Sequence, residues 1–362
     1  MIDDHGHPFS LAGGPLNPAA YSLDIDTEPG TEDRRRSLGP GRLFQELLTV
    51  RVAEYLGCGP DEVSQARERA SAEWESYVGG LFRTAGIGGI VMDPAWPPGA
   101  AENLERYAEL AGCPVHPILR LEPIVDRLMD EGAGVAEIVD TVGQAMDEAA
   151  SRGWVGFKTI LAYRTGLAVN PDVTRQEAEA SLRSDLPVRR RGKACRDFVF
   201  REALAMAADM GLPFQIHTGM GDSEIRLGQS NPLLLEELLH SPAGAAGRIV
   251  LIHGSYPWTD ELAYLAATRP NVWADLSLCN IFSPLTTANR LLRLVDLAPT
   301  NRILLATDGF REPELFWFAA VVLRDAWEQV RSTLAAAGAR ASWLDEVEAA
   351  IFEGNARTLY GL

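Results

Sequence analysis

Two histidines lie two residues apart near the start of the chain, in the stretch MIDDHGHPF. On an extended strand, residues i and i+2 project to the same side, so His5 and His7 would direct both imidazoles toward one point. Neutral imidazole is the commonest protein ligand for zinc, iron and similar ions. The pair therefore indicates part of a metal site, although an HxH motif alone also fits a flexible terminal pair.

A lysine lies inside the apolar run VGFKTI, at Lys158. Burying its cation would be costly, and burial would lower its pKa and expose a nucleophilic amine. Carboxylation by carbon dioxide would convert the amine into an anion able to bridge two metal ions. The alternative is a long side chain whose ammonium group reaches solvent at the end of the strand.

Three further residues end apolar runs: His217 in FQIHTG, His253 in VLIHGS and Asp308 in LLATDG. Histidine is a metal ligand, and a carboxylate adds negative charge to such a site. Each could also be structural, as a hydrogen-bonded histidine or a helix cap. We interpret the remaining histidines, His116 within a strand and His240 late in a helix, as structural.

The elements that would position these residues follow a regular order. Short β-branched runs alternate with longer amphipathic patterns. Eight strands separated by helices predict an α/β fold, a (β/α)8 TIM-type barrel, in which chemistry takes place where the strands end. The strands are predicted over residues 1–4, 86–93, 114–122, 154–161, 212–218, 248–254, 271–277 and 302–309, with helices over 135–153, 197–211 and 260–270.

The domain organisation predicted from this pattern is a single barrel over residues 1–362. Residues 8–85 would form a helical lid or insertion after the first strand, and residues 165–193 a polar βα loop after the fourth. Both segments follow strand ends, so both would lie on the active-site side of the barrel.

The amino-acid composition limits the classes of molecule that the protein is expected to bind. A formal net charge of −17 and a pI near 4.8 argue against a nucleic-acid or anionic-membrane partner. The four cysteines are widely spaced, as in a reducing cytosol, and neither a long apolar stretch nor a signal pattern is present. We expect a cytoplasmic protein that acts on a small-molecule substrate, with a homo-oligomer left open.

The six residues together resemble the pattern of the amidohydrolase superfamily. That pattern has HxH after strand one, lysine on strand four, histidines after strands five and six, and aspartate after strand eight. Here the positions are filled by His5, His7, Lys158, His217, His253 and Asp308. The tail IFEGNARTLYGL is similar to the closing helix of amidohydrolase-2 type proteins. The stretches DDHGHPF, VGFKTILAYRTGL, HTGMGD and QSNPLLLEELL resemble the FluG-type, amidohydrolase-related branch.

The resemblance implies a hydrolase with two divalent metal ions. His5, His7 and Asp308 would hold the more buried ion, His217 and His253 the more exposed one, and carboxylated Lys158 would bridge them. A bridging hydroxide would attack an amide, ester or thioester carbonyl, and Asp308 would carry a proton to the leaving group. The predicted catalytic residues are thus Asp308, His253 and Lys158. Zinc is the first expectation, with iron and manganese also open.

Other polar residues near strand ends are candidates for binding substrate. Arg164 could grip a carboxylate or phosphate through both guanidinium nitrogens, whereas an ion pair between Arg120 and Glu122 or a loop cap at Asp222 are structural alternatives. Trp96, Trp258 and Phe310 could form an apolar wall. Such a pocket suits an acyl group with an anionic head. The candidate substrate-binding residues are Arg120, Glu122, Tyr163, Arg164, Asp222 and Asn280.

Other functions stay open at this point. A decarboxylase or lyase of the same superfamily uses a similar barrel with a single metal ion. Such enzymes typically lack the lysine on strand four, so Lys158 favours hydrolysis. Isomerisation of a sugar acid is a weaker alternative, and a non-catalytic barrel that binds metal for structure is a further one.

Overall fold

Eight parallel strands form the centre of the molecule. The computed structural model describes residues 1–17, 41–183 and 185–362, together with Asp33, Ser37 and Leu38. Each strand pairs in parallel with the next one along the chain, which confirms the predicted TIM-type barrel. The strands are β1 (Ile2–Gly6), β2 (Gly89–Met92), β3 (Val115–Arg120), β4 (Gly156–Thr159), β5 (Pro213–His217), β6 (Arg248–Ile252), β7 (Val272–Leu276) and β8 (Ile303–Leu305).

Helices surround the barrel and connect successive strands. The three helices predicted from periodicity are all present, with ends shifted by up to four residues. In chain order the described helices are α1 (Leu43–Leu56), α2 (Val63–Ala70), α3 (Trp74–Ala85), α4 (Leu104–Ala111), α5 (Glu122–Asp130), α6 (Val135–Ser151), α7 (Arg175–Ser181), α8 (Lys193–Met210), α9 (Glu236–His240), α10 (Pro242–Ala246), α11 (Thr259–Thr268), α12 (Cys279–Phe282), α13 (Thr287–Leu297), α14 (Pro313–Ala336), α15 (Ala341–Ala349) and α16 (Asn355–Tyr360).

Hydrogen bonds just beyond the end of β8 close the barrel against β1. The N–H of Asp308 donates to the carbonyl of His5 at 2.9 Å, and the N–H of His7 donates to the carbonyl of Gly309 at 2.8 Å. The first and last parts of the chain therefore meet at the predicted site residues.

A β-bulge interrupts β1 between Asp3 and Gly6, the interval that contains His5. Asp3 pairs with Ile90 and Gly6 with Met92, so three steps along β1 match two along β2. The extra residue bends the strand and re-aims the side chains around it. Simple alternation along the strand therefore does not determine where His5 points.

The lower half of the barrel is filled by apolar side chains and covered by α16. Burial of each large aliphatic side chain contributes about 1.5–3 kcal/mol, and this layer closes the barrel on the side opposite to the strand ends. The open end is therefore the one that carries the histidines. The cluster comprises Ile2, Val91, Ile118, Val250, Ile252, Leu304, Ala356, Leu359 and Tyr360.

The two segments outside the regular repeat both reach the open end of the barrel. Residues 41–85 of the first segment are largely helical, and the ring of Phe44 lies 5.0 Å from that of Phe282, which lines the cavity described below. Most of residues 18–40, and residue 184 in the second segment, lie outside the described residues. The division into one domain with a lid and a polar loop stays a prediction.

Among the described residues, no helix combines the length and the apolar character that crossing a bilayer requires.

Candidate metal centre

The six residues singled out in the sequence converge at the open end of the barrel. His5 lies within β1, Lys158 within β4 and His217 at the end of β5. His7 and His253 directly follow their strands, and Asp308 lies shortly beyond the end of β8. Rings or polar atoms of neighbouring members lie between 2.8 and 5.5 Å apart. Five of them are buried and His7 is partly exposed. Residues separated by about 300 positions in the chain therefore share one small volume.

His5, His7 and Asp308 form the tightest group. One ligand atom from each lies within 4.8 Å of the others, and Oδ1 of Asp308 is 3.3 Å from Nε2 of both histidines. Ligand atoms on a tetrahedral ion with bonds of about 2.0–2.1 Å stand roughly 3.3–3.4 Å apart. The spacing thus suits one small divalent cation.

Two of the converging residues have unusual backbone conformations. His253 has a φ of 72° and Asp308 a φ of 51°, in the left-handed region that non-glycine residues seldom adopt. Such conformations persist where the surrounding structure enforces them, and they concentrate at functional sites. Both side chains are thereby turned toward the centre of the barrel mouth.

His217 and His253 adjoin this group without entering it. Their ring centroids are 4.4 Å apart, but among the described residues the one group of three or more candidate ligand atoms consists of His5, His7 and Asp308. Nε2 of His217 lies 3.0 Å from the carbonyl oxygen of Met220. If this nitrogen donates to the carbonyl, Nδ1 is left as the ligand atom.

The orientation of His253 is fixed from behind by two polar residues. Oδ1 of Asp275 accepts hydrogen bonds from the backbone N–H of His253, at 2.9 Å, and from the hydroxyl of Ser277. Because that hydroxyl proton is engaged, Oγ of Ser277 accepts from Nδ1–H of His253 at 2.9 Å. The lone pair of His253 is then on Nε2, the nitrogen available to a metal ion.

Burial keeps three of the imidazoles in the form that binds metal. It lowers the pKa of His5, His217 and His253 well below the usual histidine range, and the nearby Lys158 lowers each of them further. Neutral imidazole is the ligand form, so these side chains are prepared for a cation.

Lys158 lies inside the group, as predicted. Its Nζ is 2.8 Å from Nε2 of His5 and 3.3 Å from Oδ2 of Asp93. Burial lowers the pKa of Lys158 to about 8, although Asp93 opposes this shift. The amine is therefore closer to its neutral, nucleophilic form than a lysine in water.

Asp93 is a member of the site that the sequence analysis missed. It is fully buried and follows β2; its Oδ2 accepts a hydrogen bond from Nε of Arg120 at 2.7 Å and lies 2.6 Å from Nη2 of the same residue. Burial alone would raise the pKa of Asp93, but Arg120 and Lys158 together lower it. The signal was present, because Asp93 ends the apolar run GGIVMD just as Asp308 ends LLATDG.

A cavity opens above these residues, and four of the six candidate substrate-binding residues line it. They are Arg120, Tyr163, Arg164 and Asp222. The hydroxyl of Tyr163 accepts from the N–H of Asp222 at 3.0 Å, and its ring lies 4.6 Å from that of His217. The apolar part of the wall includes Trp96, Leu278, Phe282 and Phe310.

The other two candidates lie away from this cavity. Glu122 begins α5 and accepts a hydrogen bond from the hydroxyl of Thr159, so it does not pair with Arg120. Asn280 is fully buried in α12, where its amide donates to the carbonyls of Leu276 and Ala306. The side chains of Glu122 and Asn280 therefore stabilise, through hydrogen bonds, the segments that lie behind the site. Trp258 is likewise not part of the cavity wall.

Comparison with known proteins agrees with this geometry. The model of the Amidohydrolase family matches residues 2–362. The chain belongs to the amidohydrolase family. It is therefore a metal-dependent enzyme of the amidohydrolase superfamily.

Solved structures and a curated relative resemble the chain over different lengths. A candidate metal-dependent hydrolase from Lactobacillus casei ATCC 334 is 26% identical with a TM-score of 0.86, covering 100% of this chain and 95% of that one. A uronate isomerase from Bacillus halodurans C-125 is 16% identical with a TM-score of 0.70, covering 100% and 93%, and shows the shared fold alone. Protein fluG of Emericella nidulans is 36% identical over 199 residues, which are 51% of this chain and 23% of fluG.

The residues of this family member fit a divalent cation. Oδ1 of Asp308 is buried and has no hydrogen-bond partner among the described residues, and a buried carboxylate oxygen without a partner is costly. A cation held by His5, His7 and Asp308 would satisfy that oxygen. Two imidazoles and a carboxylate are also a donor set that zinc, iron and manganese accept.

Proposed function

We propose that this enzyme hydrolyses an amide, ester or thioester bond of a small acyl substrate with the help of two divalent ions. The observation that carries the proposal is the 3.3 Å spacing of Oδ1 of Asp308 from both Nε2 atoms of His5 and His7, with Lys158 directly beside them. His5, His7 and Asp308 would hold the first ion, and His217 and His253 the second. Zinc suits these ligands best, with iron and manganese as alternatives.

Lys158 would supply the ligand shared by the two ions after carboxylation. Its neutral amine attacks carbon dioxide, a C–N bond forms and the proton on nitrogen leaves, which gives a carbamate. The lowered pKa of about 8 increases the fraction of neutral amine near neutral pH. Burial of Lys158 also protects the product from solvent.

Bound divalent ions supply Lewis acidity, which lowers the pKa of water and polarises an acyl carbonyl. Asp308 lies among three of the histidines: its Oδ1 is 3.3 Å from Nε2 of His5 and of His7, and its Oδ2 is 3.7 Å from Nδ1 of His253. We infer that Asp308 takes a proton from the attacking water and delivers it to the leaving group. Tyr163 lines the same cavity, and its hydroxyl would orient the substrate.

The test combines metal content with lysine chemistry. The proposal expects two ions per chain by inductively coupled plasma mass spectrometry. After incubation with ¹³C-bicarbonate, a carbamate resonance should be visible by ¹³C NMR. Lys158→Ala should abolish that resonance, lower metal occupancy and remove turnover on a panel of amides, esters and acyl thioesters. Full activity of the variant would show that the bridging role is wrong.

A second function is favoured by one specific contact. Lys158 lies 3.3 Å from Asp93 and could stay an ammonium group paired with that carboxylate. The site would then hold a single ion on His5, His7 and Asp308, as a decarboxylase or lyase of this superfamily does. One ion per chain, no carbamate resonance and release of carbon dioxide from an aromatic or unsaturated acid would establish this alternative.

A further inference from the structure

Arg164 lies in the wall of the cavity, and one nitrogen of its buried guanidinium group lacks a hydrogen-bond partner among the described residues. Its side chain is only 5% exposed, and its Nε donates to Oδ2 of Asp126 at 3.0 Å. Nη1 is buried and has no hydrogen-bond partner among the described residues. Oε1 of Glu224 lies 3.6 Å from Nη1, which is within the range of an ion pair but too far for a hydrogen bond.

An unsatisfied N–H on a buried cation is costly, and such groups in folded proteins usually have a partner. Arg120, the other arginine deep in the cavity, is paired with Asp93: its Nε donates to Oδ2, and its Nη2 lies 2.6 Å from the same oxygen. Arg164 therefore has a buried Nη1 without a hydrogen-bond partner among the described residues, and this nitrogen is available to an incoming acceptor.

The surroundings of Arg164 carry an excess of positive charge. Arg190 donates to the carbonyls of Arg164 and Glu224, and Arg196 donates to Asp126. Four arginines lie in this group against three carboxylates, even when Asp222 on the other side of the cavity is included. The group comprises Arg164, Arg189, Arg190 and Arg196 on one side and Asp126, Glu224 and Asp222 on the other.

We propose that Arg164 binds the carboxylate of a substrate whose scissile acyl group lies at the metal centre. A planar guanidinium group matches a carboxylate, and charge-assisted bonds of this kind are about twice as strong as neutral ones. The apolar side chains Leu278, Phe282 and Phe310 line the same cavity and would pack against the carbon chain between the two ends. The substrate class is thus a half-amide, half-ester or half-thioester of a dicarboxylic acid. This inference rests on the proposed hydrolase function for the identity of the reacting end, but not for the binding of the carboxylate.

The test uses glutarate and butyrate, which match in chain length apart from the second carboxylate. Binding of each to the metal-loaded enzyme is measured by isothermal titration calorimetry, which needs no turnover. Wild type should bind glutarate at least tenfold more tightly than butyrate. Arg164→Met should bring the ratio close to one, and Arg164→Lys should give an intermediate ratio because the charge remains while the planar fork is lost.

The control is Arg293→Met, since Arg293 is an exposed arginine that pairs with Asp260 away from the cavity. Its glutarate-to-butyrate ratio should equal that of wild type. Metal content and thermal melting of each variant confirm that the site and the fold persist. If Arg164→Met does not fold, two measurements on wild type replace it. They are the glutarate-to-butyrate binding ratio and a structure of the glutarate complex, which should show a carboxylate at Nη1 of Arg164.

A wild-type ratio near one, an unchanged ratio in Arg164→Met, or tighter binding of a phosphate monoester than of glutarate would overturn the proposal. Absence of hydrolysis together with an Arg164-dependent preference for glutarate would instead refute the hydrolase function and leave the carboxylate site standing.

Discussion

The backbone N–H of Asp308 donates a hydrogen bond to the carbonyl oxygen of His5 at 2.9 Å. Two candidate ligands from opposite ends of the chain are thereby held together by the main chain before any ion binds. A correct spacing of their side chains requires that β1 and β8 meet, so the metal centre forms only in the closed barrel. This coupling leads to the first prediction.

Asp308→Asn should remove the ion held by His5, His7 and Asp308 without unfolding the enzyme. Asparagine adopts the left-handed backbone conformation of this position readily, so the hydrogen bond to His5 can persist. The lost negative charge weakens the ligand set. Metal measured by mass spectrometry after dialysis should fall by the one ion that this group holds, while the melting temperature of the metal-free protein stays close to that of metal-free wild type.

The control for this variant is Asp296→Asn, at an exposed position on α13. It should retain the wild-type metal content. Equal metal content in Asp308→Asn and Asp296→Asn would exclude Asp308 as a ligand.

The barrel and the convergence of the six residues could be predicted because both follow from local patterns. Apolar runs ending in a polar residue mark strand ends, and strand ends meet in a barrel. Asp93 obeys the same pattern and could have been found by it. In contrast, nothing local indicates that Arg120 pairs with Asp93 rather than with Glu122, because this choice depends on the register between β2 and β3.

Glu122 and Asn280 show a second limit of sequence reasoning. Each lies within a few residues of a strand end, yet each begins or enters a helix that turns its side chain behind the site. The left-handed conformations of His253 and Asp308 are equally invisible, because no glycine or asparagine marks those positions. The sequence shows which residue type lies at a strand end, but the direction in which its side chain points depends on tertiary packing.

Asp93→Asn should destabilise the metal-free enzyme strongly. The substitution leaves the buried Lys158 and the partly buried Arg120 without their shared counter-charge, and removing one partner of a buried pair costs about 3–5 kcal/mol. Urea unfolding of chelator-treated protein measures the change. The double variant Asp93→Asn with Lys158→Met should recover part of the loss, because one unpaired cation is then absent.

An exposed pair gives the comparison for Asp93. Asp325→Asn breaks the contact with Arg51, in which both side chains are about half exposed, and should change the unfolding free energy little. The same small effect for Asp93→Asn would contradict the assignment of a buried, paired carboxylate.

Ser277→Ala should loosen metal binding through His253. The hydroxyl of Ser277 connects Asp275 to Nδ1 of His253, and the loss of such a supporting contact typically reduces metal affinity by about 10- to 100-fold. Zinc titration by calorimetry should show weakening of one binding event and retention of the event assigned to His5, His7 and Asp308. Ser332→Ala, on the exposed side of α14, should leave both events unchanged. If both Ser277→Ala events match wild type, Ser277 does not set the tautomer of His253.

Arg67→Met should separate the helical insertion from the loop that follows β8. Arg67 is 2% exposed and donates to Glu314 at 2.8 Å and to Glu312 at 2.6 Å, and the hydroxyl of Tyr77 donates to the same oxygen of Glu314. Methionine fills much of the volume but leaves the fully buried Glu314 without its cation, which should cost about 3–5 kcal/mol.

This contact anchors the start of α14 and the loop that joins it to Asp308, so its loss should also weaken metal binding. We expect Arg67→Met to lower the urea midpoint and to weaken zinc binding by at least several-fold. Arg69→Met, at an exposed position on the same helix, should change neither. A lowered midpoint with unchanged zinc affinity would show that the insertion stabilises the fold without supporting Asp308.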